Sequence, residues 1–176
     1  MRRTLTWGLV ILTAMVCGAG YVAYVQATPA SGFTGSTIAR GRFDDIDINN
    51  HVFLEDFWAP SNRKNPWLSF QKTKGASDLY VQSNVWAPGG TTGWHTHPGH
   101  SLIIVTAGTV TAYEGDDPSC TPHEYTPGMG FVDPGGDHVH VLRNQGMVEA
   151  RTVAVQLIPA GANRRIDADG NSACSF

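Results

Sequence analysis

The sequence predicts an all-β fold of the sandwich or barrel type, on three observations. Short segments rich in Val, Ile, Thr, Tyr and Trp recur between residues 38 and 158. Several alternate apolar with polar residues, the period of a strand that buries one face. Gly and Pro stand at nearly every junction, as in Pro88-Gly89-Gly90, Pro127-Gly128, Pro134-Gly135-Gly136 and Pro159-Ala160-Gly161. Regularly spaced short strands with such turns make sandwiches and barrels.

The first segment lies outside that pattern. Arg2 and Arg3 precede an uncharged apolar stretch from Leu5 to Val25, and Val25-Gln26-Ala27 offers small residues of the kind a signal peptidase reads. We expect residues 1–27 to be a secretory signal peptide cut near Ala27, or, if uncleaved, a membrane anchor, since about 20 apolar residues span a bilayer. The arginine pair hints only weakly at a twin-arginine signal. Cys17 has Val16 before it where a lipoprotein cysteine wants a small residue, which argues against lipidation. Residues 28–36, Thr-Pro-Ala-Ser-Gly-Phe-Thr-Gly-Ser, read as a flexible linker.

Residues 37–176 form one domain by length. Strand-like pieces run over 78–86, 101–106, 109–113, 130–132, 138–142 and 151–158. The segment 54–74 is undecided: its Trp58, Trp67 and Phe70 suit a short helix or a covering loop. Trp86, Trp94, Tyr113 and Phe131 are expected to pack the core or line the barrel mouth. Glu114-Gly115-Asp116-Asp117 reads as a solvated turn. No internal repeat or low-complexity tract appears.

Without Arg2 and Arg3 the chain keeps ten basic and fifteen acidic residues, a net charge of −5. No basic patch with interleaved aromatics is present, so nucleic acid is not an expected partner. No Gly-x-Ser-x-Gly and no phosphate loop occurs, which leaves hydrolase and nucleotide readings without support. Beyond the leader two cysteines remain, Cys120 and Cys174. An even count in an exported chain suggests a disulfide, here tying the C-terminal tail to the loop near Asp116.

The chemistry lies in two histidine clusters. His95-Thr96-His97 follows a glycine-rich turn, and His138-Val139-His140 follows Gly135-Gly136-Asp137. Residues at i and i+2 of a strand share a face, so each pair can present two imidazoles to one ion. Neutral imidazole is a common ligand for transition metals. His100 points the other way in a regular strand and reads as a loop-edge residue.

The framing of these clusters resembles the cupin superfamily. Gly89, five residues, then His95-x-His97, and a closing Gly108, match its first motif. The carboxylate position of that motif holds Ser101. Gly128, five residues, Pro134, then His140, three residues and Asn144 match the second, with one extra residue between Pro134 and His140. The resemblance covers about residues 78–158. It implies a small cupin-like β-barrel of jelly-roll type, with His95, His97 and His140 as ligands of one divalent transition metal inside it. Iron, zinc, manganese, copper and nickel stay open. His138 is left as a fourth ligand, a replacement for His140 or a supporting donor, and Ser101 as a residue orienting water or substrate. Arg143, beside Asn144, faces away from His140.

Without a motif carboxylate the chain is most similar to the three-histidine members, some of which are iron dioxygenases. One reading is therefore an enzyme of oxygenase or isomerase type acting on a small oxygen-bearing molecule. The others are a non-catalytic module that binds a small molecule or the metal, and a barrel whose metal is structural. Expected partners are a small-molecule ligand, the membrane only if the leader stays attached, and a second copy if an edge strand pairs, as is common in that family.

Overall fold

The computed structural model describes residues 28–54 and 65–176. The leader, Cys17 and Trp58 lie outside them. Twelve strands and no helix occur among the described residues. The strands are β1 Ser31–Phe43, β2 Asp47–Leu54, β3 Asn65–Lys72, β4 Ser77–Thr91, β5 His95–Thr96, β6 Ser101–Ala107, β7 Val110–Glu114, β8 His123–Tyr125, β9 Gly130–Asp133, β10 His140–Arg143, β11 Ala150–Pro159 and β12 Ile166–Asp167. Ten of them join one nearly closed antiparallel sheet, while β2 and β3 pair separately. The all-β cupin-like barrel expected from the sequence is the fold observed.

Two expectations are corrected. The linker assigned to residues 28–36 is a strand from Ser31 onward: β1 pairs along most of β4, with Thr34 opposite Val85 and Ser36 opposite Ser83. Its Gly/Ser/Thr composition hides this, because the order comes from the partner strand and from Phe33, whose ring lies 4.9 Å from that of Trp86. The undecided segment 54–74 carries β3 over Asn65–Lys72, paired with β2, and its Trp67 and Phe70 are exposed.

Strand period two sorts the sheet into a wall and an interior. On β6, Ser101, Ile103 and Val105 are buried while Leu102, Ile104 and Thr106 are exposed. One apolar cluster joins Trp86, Val105, Val110, Ala112, Leu142 and Ala150, with Phe33, Tyr125 and Phe131 packed against it. A second joins Trp94, Tyr113 and Val141, beside Cys120 and Cys174. Those two cysteines form a disulfide with Cα atoms 5.3 Å apart. It holds the C-terminal tail where Phe176 stacks on Trp94, ring centroids 6.4 Å apart.

The Asn that closes the second motif is a fastener. Asn144 is buried, and its amide nitrogen donates to the carbonyls of Trp86, Ala87 and Val148 at 3.1, 3.2 and 2.7 Å. Its Oδ1 accepts the Gly146 N–H at 3.0 Å. One side chain thus closes four backbone bonds across the barrel end.

Candidate metal centre

Two short strands position the imidazoles. β5 and β10 are antiparallel with His95 directly opposite His140, so both rings share one face. His97 follows two residues on and reaches the same space. The ring centroids are 4.4 Å apart for His95 and His140, 4.7 Å for His95 and His97, and 5.5 Å for His97 and His140. One donor atom from each of the three lies within 4.8 Å of the others. The approach to β5 turns at Gly93, where φ is +67°, a conformation a side chain disfavours.

Backbone carbonyls set two tautomers. His95 Nδ1–H donates to the Gly93 carbonyl at 2.9 Å, and His97 Nδ1–H donates to the Arg164 carbonyl at 2.5 Å. Each ring therefore keeps its Nε2 lone pair for a ligand, as metal-binding imidazoles require. Burial drives the His95 pKa down to about 2, helped by the charges of His140, Arg165 and His97. Burial also pushes His140 down to about 4, against the pull of Asp133. His97 is lowered by the same cause. The three rings are neutral at pH 7 and need shed no proton to bind a cation.

The rings face a cavity of ≈ 200 Å³. Alternate residues of three strands build its walls: Gln82, Asn84 and Trp86 from β4, Thr152, Ala154 and Gln156 from β11, Ser101 and Ile103 from β6. Arg164 and Arg165 close one side. Arg164 is engaged, donating to Gln156 Oε1 at 3.2 Å and to Thr37 Oγ1 at 2.9 Å. Arg165 donates through Nε to Asp167, while its buried Nη2 has no hydrogen-bond partner among the described residues.

The sequence reading missed Asp133. It ends β9 directly opposite Ser101, only 3% exposed. Its Oδ2 lies 3.5 Å from His97 Nε2 and 3.5 Å from Ser101 Oγ. Its Oδ1 accepts the Gly135 N–H at 3.0 Å and lies 3.4 Å from His138 Nδ1 and 3.6 Å from His140 Nδ1. The available signal was an acidic residue one place before Pro134, inside the second motif.

His138 stacks on His140, ring centroids 5.5 Å apart, and forms a second close group with Asp133 and His140, but it does not line the cavity. It precedes β10 in a turn, where its Nε2 meets Glu114 and its other nitrogen faces Asp133. It therefore stands between Asp133 and the partly exposed Glu114, its Nδ1 without a hydrogen-bond partner among the described residues. His100 lines a separate groove with Pro98 and Leu157, away from the cavity. Arg143 lies over the Phe176 ring, 3.9 Å from its centroid, also away from the cavity.

Residues 85–156 match the model of the Cupin domain. Similar solved structures include a conserved Klebsiella pneumoniae protein with a double-stranded β-helix domain, at 22% identity over 52% of this chain and 75% of that one, TM-score 0.44. They also include the polyketide cyclase RemF from Streptomyces resistomycificus, at 19% identity over 54% and 65%, TM-score 0.44. An oxalate oxidase matches at 22% identity over 50% and 51%, TM-score 0.39. None of these likenesses transfers chemistry. No curated protein matches the chain significantly. The barrel and the match over residues 85–156, which takes in both histidine clusters, define the class: this part of the chain is a Cupin domain.

Proposed function

We propose that this protein is an exported cupin that holds one divalent transition metal on His95, His97 and His140 and binds or transforms a small oxygen-bearing molecule beside it. The observation that carries the reading is the convergence of three neutral imidazoles, two with Nε2 freed by backbone carbonyls, on one polar cavity. The donor set fits a borderline metal: three nitrogens with room for further ligands is the pattern of open rather than closed sites. A metal so held supplies Lewis acidity, and redox chemistry if it is iron, copper or manganese.

The chain's own groups suit an oxygen-rich guest. Arg165 Nη2 is a buried donor without a partner, and Gln82, Asn84 and Gln156 add amide donors and acceptors along the wall. A cavity of ≈ 200 Å³ takes a guest of few heavy atoms. Trp86, Ile103 and Leu142 provide the apolar sides that exclude water. Export is part of the proposal: the Cys120–Cys174 disulfide fits an oxidising compartment, as does the leader-like composition of residues 1–27.

The test is oxygen consumption by metal-loaded protein against a panel of small carboxylic acids, hydroxy acids and phenols. Substrate-dependent uptake, or product formation without uptake, supports an enzyme. Saturable binding without turnover supports a binding module. A metal whose removal unfolds the protein, with no guest bound, contradicts the proposal in favour of a structural ion.

A further inference from the structure

We propose that Asp133 supplies the carboxylate ligand which the first motif lacks, so that the ion is held by three imidazoles and a carboxylate brought from the neighbouring strand. The inference rests on the metal-site reading above and adds a ligand to it.

Register is the first argument. Ser101 occupies the motif position for a carboxylate, and Asp133 is its direct partner across β6 and β9. Directly opposed residues of an antiparallel pair send their side chains to the same face. A carboxyl group moved from one to the other keeps to that face and enters the same cavity, which both residues line.

Distance is the second. Two ligand atoms each about 2.1 Å from one ion lie roughly 3.0–3.4 Å apart in octahedral or tetrahedral geometry. Asp133 Oδ2 is 3.5 Å from His97 Nε2, the nitrogen whose lone pair is free. Its other oxygen is committed to the Gly135 N–H at 3.0 Å. The carboxylate thus has one oxygen fixed by the turn and one presented to the cavity.

Charge is the third. Asp133 is 3% exposed, and among the described residues no Lys or Arg nitrogen comes within ion-pair distance of it. A buried carboxylate without a cation is unfavourable, because burial strips its hydration and nothing replaces it. A divalent ion on the three adjacent imidazoles removes that cost. His138, whose Nε2 meets Glu114, has its Nδ1 3.4 Å from the other carboxylate oxygen.

A purely structural role predicts something different. As the acceptor for Gly135, Asp133 would only fix the turn before Gly136, and Asn serves equally well there. Asp133→Asn keeps that acceptor and removes the charge. The experiment uses protein exported from the full-length chain, stripped by chelation and titrated with cobalt(II), read by visible absorption and calorimetry. Asp133→Asn is expected to weaken cobalt binding at least tenfold and to change the intensity and position of the visible bands. The double variant Ser101→Asp/Asp133→Asn, which returns the carboxylate to the motif position, is expected to recover most of the affinity. Near-ultraviolet circular dichroism of the stripped proteins separates loss of a ligand from loss of the fold. Parent-like affinity and spectrum in Asp133→Asn overturn the inference and leave the three-imidazole site standing. Failure of the parent to bind cobalt overturns both. Weak binding by Asp133→Asn that the double variant does not repair, with its fold intact, also counts against a carboxylate ligand.

Discussion

Asp133 and Ser101 face each other across β6 and β9, both buried in the cavity wall, with Oδ2 and Oγ 3.5 Å apart. A second carboxylate placed at Ser101 would stand against the first. Ser101→Asp alone is therefore expected to lower the melting temperature of the metal-free protein, since like charges directly opposed destabilise a strand pair. Added divalent metal should reverse the loss. Differential scanning calorimetry with and without metal checks both halves.

The histidines make the metal-free protein acid-sensitive. His95 and His140 have native pKa values of about 2 and 4, below the ordinary value near 6.5. Between those limits the unfolded chain binds more protons than the native one, so stability falls as pH falls. It is fully present above about pH 6.5 and declines toward pH 4. Urea midpoints measured from pH 8 to 4 should show the slope, and His95→Gln/His140→Gln should flatten it.

Asn144 is expected to be a stability residue without metal chemistry. Truncation to Ala strands the carbonyls and the N–H that it now pairs. At about 1 kcal/mol or more for each buried unpaired group, Asn144→Ala should cost about 3 kcal/mol. Metal affinity per folded molecule should not change, since Asn144 is absent from the cavity wall.

The disulfide closes a loop with a sequence separation of 54. Replacing both Cys120 and Cys174 by Ser should lower stability by about 4 kcal/mol through the unfolded chain. It should also free the tail, seen as loss of the Trp94–Phe176 stack in near-ultraviolet circular dichroism.

Much of this was legible in the chain. The strand pieces of β4, β6 and β11 are legible from alternation over 78–86, an apolar run over 101–106 and the Val-rich stretch 151–158, because strand patterning is a local property. The i, i+2 histidine pair and the Gly89 and Asn144 frame pointed to the cavity for the same reason. Asp133 was not legible, because its role depends on which residue of β6 stands opposite it, and register is settled by packing and turns. His138 stays open in the sequence between ligand and supporting donor for a related reason. It has the spacing of a strand partner to His140, but β10 begins only at His140, after a turn at Gly135 and Gly136, both at φ +68°. β1 was hidden by its polar, glycine-bearing composition, since its order comes from pairing with β4.

The central claim is that the three imidazoles hold a metal, and elemental mass spectrometry tests it most directly. The protein should be made in an oxidising compartment without a histidine tag, beside His95→Ala/His140→Ala. The account predicts near one equivalent of a transition metal in the parent and its loss in the folded variant. No metal in the parent, even after reconstitution with iron, zinc, manganese, copper and nickel in turn, would contradict it.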